Sequence, residues 1–205
     1  MIWGLMDRNA SVVVAAGPSG AGKSTLLTAL LELLNPAKTP VYARGMYETF
    51  DFADRADPRS NAILVNEISA HLPSYLWGPG VRRLFELGRT GFQFFATCHA
   101  ESVEELVYGL SAYPLRISVS QLSAIDALIF LKAWRDGAEI HREINRVVAL
   151  RGSEEIGLSA IPLFDNREIR IDGVARALRL DDVQAIVFER ELERRIAELW
   201  DRSRR

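Results

Sequence analysis

Cysteine is almost absent from this sequence: Cys98 is the single one among 205 residues, which excludes an intramolecular disulfide and a cysteine-rich zinc site. An excess of either charge is missing too. The 25 Lys and Arg stand against 27 Asp and Glu, a net charge of −2. No global basic field therefore draws the chain to nucleic acid or to an anionic membrane, and no specific nucleic-acid partner is expected. No uninterrupted apolar run approaches the roughly 20 residues that a membrane-spanning helix needs. Residues 1–10 have neither a basic start nor a long apolar segment, so no signal peptide is expected and the default location is cytoplasmic. Internal repeats and low-complexity segments are also absent. What remains, 48% hydrophobic and 25% charged residues, is the composition of an ordinary globular protein.

The chain is organised around residues 11–25, which read S-V-V-V-A-A-G-P-S-G-A-G-K-S-T. Val12, Val13 and Val14 are a β-branched run that predicts a buried strand. It leads directly into Gly17, Pro18, Ser19, Gly20, Ala21, Gly22, Lys23, Ser24 and Thr25, and then into a helical pattern from Leu26. This fits G-x-x-x-x-G-K-[ST], the Walker A loop. Glycines there let backbone N–H groups turn inward around phosphate oxygens, and the following helix adds its N-terminal dipole. Lys23 can reach the β- and γ-phosphates, and the Ser24 hydroxyl can ligate Mg²⁺. Nucleoside triphosphate binding is the expectation.

Further along, Leu26, Leu27, Leu30, Leu31 and Leu34 recur at helical spacing until Asn35-Pro36. Residues 41–43, 62–65 and 92–97 predict short strands, and residues 81–87 and 102–110 predict helices. Ser102 with Glu105 forms a capping-box pattern at the second of these helices. Residues 127–131 and 139–150 predict a strand pair turned at Arg135-Asp136-Gly137. Residues 152–172 mix apolar pieces and turns without a clear period. Residues 181–205 predict an amphipathic helix, with Phe188, Leu192, Ile196, Leu199 and Trp200 on its apolar stripe. Strands alternating with helices behind a glycine loop indicate an α/β fold, three layers deep, with a mostly parallel sheet. The expected division is a core over residues 1–150, including a β-hairpin region, and an appendage over residues 151–205 ending in the C-terminal helix.

Two residues are placed for chemistry by their strands. Glu67 follows a buried strand at the end where parallel sheets open their ligand crevice. A carboxylate there can polarise an attacking water or hold the water shell of a metal. His99 also follows a strand end, where an imidazole can donate to a γ-phosphate. Arg44, Arg55 and Arg59 are candidates to offset charge on a transferred phosphate. Cys98 reads as a small apolar residue.

The loop spelling G-P-S-G-A-G-K-S-T resembles those of guanylate kinases and ABC-type ATPases. The chain has no L-S-G-G-Q signature, however, and no guanylate-kinase-type segment after the first helix. From the loop to about Leu150 it resembles the type II/type IV secretion-traffic ATPases, the RecA-like hexameric motors of pilus assembly, pilus retraction and protein secretion. Asp57-Pro58 followed by Ile63-Leu64-Val65-Asn66-Glu67-Ile68 resembles the family's Walker B region. Thr97-Cys98-His99-Ala100-Glu101-Ser102 resembles its His box, and Ala124-Ile125-Asp126 with Arg135-Asp136-Gly137 resembles its A-I-D … R-x-x-D-G stretch. These last segments are closest to the tight-adherence pilus and type IV secretion branches.

The resemblance implies ATP and Mg²⁺ as cofactors, with Glu67 as the Walker B glutamate and His99 as the His-box residue. It also implies a metal-assisting Glu48, at the last acidic position of the family's Asp box, although Arg44-Gly45 stand where the family has Glu-Asp. A homo-oligomeric ring, hexameric as in the family, or a hetero-oligomer with a full-length motor ATPase, follows from it, as does a partner in an inner-membrane secretion or pilus platform, which would put the chain at the membrane periphery. The family's N-terminal domain is not seen, since ten residues precede the core strand. Three functions stay open: an ATP-hydrolysing motor subunit, an ATP-binding accessory subunit, and a nucleotide or small-molecule kinase.

Overall fold

The computed structural model describes residues 1–203. One sheet runs through it in the order β2-β3-β4-β1-β5-β6-β7-β8. The strands are β1 (Val12–Ala15), β2 (Thr39–Tyr42), β3 (Asn61–Ile68), β4 (Gln93–Cys98), β5 (Ala127–Asp136), β6 (Glu139–Ser153), β7 (Gly157–Asp165) and β8 (Glu168–Ile169). The first five pair in parallel and the last three are added antiparallel. Helices α1 (Ile2–Met6), α2 (Lys23–Leu31), α3 (Pro79–Arg89), α4 (Val103–Ser111), α5 (Val119–Leu122), α6 (Ile171–Leu178) and α7 (Asp182–Ser203) cover it.

The valine run shows why three layers form. Val12 and Val14 join one buried cluster with Leu5, Leu27, Val174 and Phe188, from α1, α2, α6 and α7. Val13 and Ala15 join a second cluster with Phe85, Leu106 and Leu122, from α3, α4 and α5. A strand buried on both faces has no polar side to show, so its pattern is continuous rather than alternating. The apolar runs at 62–65 and 127–131 follow the same rule.

The expected helices form, and their ends follow local chemistry. Ser102 caps α4 by accepting from the Glu105 N–H at 3.1 Å. Glu105 reaches back to the Glu101 N–H at 2.6 Å, one residue beyond the usual capping-box partner. Asp136 and Glu139 pair across the hairpin, with Gly137 at φ 59°. Residues 157–169, unassigned from pattern, are β7 and β8 of the same sheet. In α7, Phe188 and Leu192 pack into the chain's own core and Ile196 is half exposed. Leu199 and Trp200 of the expected stripe have side chains outside the described residues.

Away from the glycine loop, at the N-terminal ends of β1 and β5, Asp126 holds the core together. Its carboxylate accepts from the Ser11 N–H at 2.9 Å and from Arg151 at 2.8 Å. Burial raises the Asp126 carboxyl, against the lowering effect of these two donors. Arg151 also donates to the carbonyls of Leu150 at 2.7 Å and Ala177 at 2.9 Å, tying β6 to α6. Arg151→Ala would strip these carbonyls of their side-chain donor and leave a mostly buried carboxylate with the Ser11 N–H but no cation. A loss of about 2–3 kcal/mol in urea unfolding is expected, with nucleotide binding unchanged.

Candidate nucleotide site

The glycine loop leaves β1 at the sheet's centre, where β4 and β5 flank that strand. Gly20 and Gly22 have φ of 78° and 95°, a left-handed conformation that a side chain would strain. Gly22 is also the N-cap of α2, so Lys23 and Ser24 begin the helix with their free N–H groups directed beyond its end. Residues 19–25 form one wall of a cleft of about 800 Å³, which Glu67, Tyr75, His99, Leu131, Arg142 and Ile144 also line. A cavity of this size is in the range of ligand pockets. Lys23 is 7% exposed and has no salt-bridge partner among the described residues.

Glu67 reaches the cleft because β3 bulges. Val65 pairs with Ala96 and Ile68 with Cys98, so Asn66 and Glu67 together oppose Thr97 alone. Val65 and Ile68, three apart, therefore share one core face. In an unbulged strand Glu67 would follow Val65 into that core; the extra residue turns it out to the strand end. The Thr97 hydroxyl fixes the bulge by donating to the Asn66 carbonyl at 2.6 Å.

His99 links the two halves of the site. Its Nδ1 is 2.9 Å from the Gly17 carbonyl, which can only accept, so Nδ1 carries the proton. Its Nε2 lies 3.4 Å from Glu67 Oε1, near enough for an ion pair but without hydrogen-bond geometry. Glu67 Oε1 is consequently a buried oxygen with no hydrogen-bond partner among the described residues. The neighbouring Cys98 is inert: burial pushes its thiol up to about 12.

An orphaned carboxylate oxygen and a serine hydroxyl in one cleft fit a hydrated divalent cation better than a bare one. Among the described residues no three His, Cys, Asp or Glu side chains converge as a metal cage. The donors for a cation are thus the Ser24 hydroxyl, a water on Glu67, and the phosphates of the ligand itself.

Other expected residues are not brought to the cleft. The Glu48 side chain is 4% exposed, and its oxygens accept the N–H groups of Arg44 at 2.8 Å and Phe50 at 2.6 Å. It organises its own loop. Arg44 pairs with Glu48 and Arg59 with Asp57, and neither they nor Arg55 line the cleft. Among the described residues, the arginine that does is Arg142 on β6. The Asp136-Gly137 turn was the available signal, because it fixes Arg142 opposite Ala133 and Ile144 opposite Leu131. No local pattern says that this hairpin stands beside the glycine loop.

No protein-family model matches the chain, and no curated protein matches it. Solved structures do. The VirB11 ATPase of the Brucella suis type IV secretion system, determined with sulphate, shares 17% identity over 72% of this chain and 50% of its own, with a TM-score of 0.50. The Legionella pneumophila ATPase DotB shares 18% identity over 91% of this chain and 53% of its own, with a TM-score of 0.41. The flagellar accessory protein FlaH of Methanocaldococcus jannaschii shares 10% over 73% of this chain and 88% of its own, with a TM-score of 0.38. The chain thus spans about half the length of VirB11 and DotB. With its mixed α/β architecture and central glycine loop, it has the P-loop ATPase fold seen in the type IV secretion ATPase VirB11.

Proposed function

We propose that this chain is a Mg²⁺-dependent ATP-binding and ATP-hydrolysing subunit of a secretion- or pilus-type motor. One observation carries the reading: Lys23, Ser24, Glu67 and His99 line a single cleft, and His99 bridges Glu67 to the first glycine of the loop. The backbone N–H groups of residues 19–25 would cradle the α- and β-phosphates, and Lys23 would reach the β- and γ-phosphates. Bound Mg²⁺, held by Ser24 and through water by Glu67, would offset charge on the β- and γ-phosphate oxygens. Glu67 accepts a proton from the attacking water, whose oxygen forms a bond to the γ-phosphorus as the bond to ADP breaks. The products are ADP and inorganic phosphate. His99 is placed to register that change, because it touches both Glu67 and the loop.

In this reading the chain works as a homo-oligomer, or with a longer motor ATPase, against an inner-membrane platform protein on the cytoplasmic side. No helix among the described residues is long and apolar enough to cross a membrane. One observation favours a second reading, an ATP-binding accessory subunit: Glu48, the second carboxylate such a site would use, is committed to its own loop. Phosphate release measured against protein concentration, with particle size followed by light scattering, separates the two. Turnover per chain should rise as oligomers form. Release no faster than that of Lys23→Ala at any concentration, with nucleotide still bound, would select the accessory role.

A further inference from the structure

The order of strands gives the cleft a direction. Glu67 is the penultimate residue of β3 and His99 follows β4, on one side of β1 and its glycine loop; β5 and β6 lie on the other side. If the γ-phosphate end of a nucleotide belongs with Glu67 and His99, the nucleoside end belongs with β5 and β6. That side of the cleft is apolar where a base would need it to be: Leu26 and Ala29 of α2 face Leu131 and Ile144 of the hairpin. Between this apolar wall and the loop stands Arg142, two residues from Ile144 on the same face of β6.

Arg142 Nε donates to the Gly20 carbonyl at 3.1 Å. Its Cδ would come within 3.3 Å of a Cβ placed on Gly22. The rest of the guanidinium has no hydrogen-bond or ion-pair partner among the described residues. Its neighbour Glu143 also lines the cleft, but that carboxylate pairs with Arg167 at 3.3 Å and not with Arg142, so the Arg142 charge stays unneutralised beside the loop. A guanidinium anchored by one N–H, with its remaining donors open to a cleft, is prepared for an anion with two acceptor oxygens.

We propose that Arg142 is a nucleotide-binding residue acting in cis, which engages the α- and β-phosphates from the nucleoside side of the loop. This rests on the nucleotide-site reading above and adds a specific prediction to it. An arginine acting on the γ-phosphate would distinguish ATP from ADP, whereas Arg142, across the loop from Glu67, should serve both equally.

The test is calorimetric titration of the full chain with ATP and with ADP, for wild type, Arg142→Gln, Arg142→Lys and Lys23→Ala. Arg142 is exposed and outside the core, so its variants should melt as wild type does. Arg142→Gln is expected to weaken ATP and ADP alike, each about tenfold, the effect of one charged hydrogen-bonding group. Arg142→Lys should recover part of this loss, because it restores charge without the fork. Unchanged affinity in Arg142→Gln, while Lys23→Ala loses binding, would overturn the role of Arg142 and leave the nucleotide site standing. A loss for ATP alone would also overturn it, by moving the guanidinium to the γ-phosphate. Folded wild-type chain that binds neither nucleotide would overturn the site reading and this one with it.

Discussion

Lys23→Ala is expected to lower ATP affinity by at least about 100-fold while leaving the fold intact. The ammonium is the one cation on the loop itself, and its side chain is 7% exposed at the first turn of α2. In so enclosed a position each charge-assisted hydrogen bond to phosphate is worth roughly 1.5–3 kcal/mol, and a lysine bridging two phosphates makes more than one. Alanine has the highest helix propensity, so the start of α2 is not weakened. Removing a nearly buried cation that lacks a salt-bridge partner among the described residues also relieves a desolvation cost. Thermal melting should therefore stay level or rise as binding disappears. Calorimetric titration with Mg-ATP, beside a melting curve of the same sample, reads both quantities. Wild-type affinity in the alanine variant would show that the loop does not hold phosphate through Lys23.

Glu67→Gln should separate binding from turnover. Its Oε1 is buried and without a hydrogen-bond partner among the described residues, which leaves it free to orient and deprotonate a water. An amide of the same shape keeps the bulge between β3 and β4 but accepts a proton far less readily. Loss of a positioned general base typically costs about 10²–10⁴-fold in rate. Phosphate release should fall by at least about 100-fold, with ATP affinity within a few-fold of wild type. The Thr97–Asn66 bond that fixes the bulge is untouched by the substitution, so a misfolded site is not the expected cause. Rapid turnover in Glu67→Gln would move the base elsewhere. A parallel fall in affinity would recast Glu67 as a binding residue through its metal-bound water.

The elements readable from the residues alone are those specified within one segment. The valine run, the glycine loop and the helix beginning at Lys23 follow one another without a gap, and each depends on neighbours a few positions away. The cap at Ser102 and the hairpin turn at Asp136-Gly137 are local in the same sense. Strand positions at 62–65 and 127–131 were legible because burial on both faces leaves an unbroken apolar signature, and 92–97 because its apolar run is interrupted only at Gln93 and Thr97. The loop residues, Glu67 and His99 could be named from this information, and the resemblance to secretion-traffic ATPases rests on the same segments.

Tertiary structure decided what depends on pairing between distant segments. The bulge that turns Glu67 out of the core arises from its register with β4, and no spacing within residues 61–68 announces it. Arg142 reaches the loop only because β6 returns beside β5, which itself pairs with β1; Arg44 and Arg59, nearer in sequence, pair with their own loops. Glu48 shows the reverse case, a carboxylate placed by motif near the metal and held by backbone N–H groups in its own turn. Residues 157–169 have short apolar pieces that become strands only when β6 offers them an edge. The sequence by itself determined that a phosphate-type loop sits between a buried strand and a helix. Which carboxylate, imidazole and guanidinium surround that loop was decided by sheet order and register, because hydrogen-bond pairing acts across the fold, while helix and strand periodicity act along the chain.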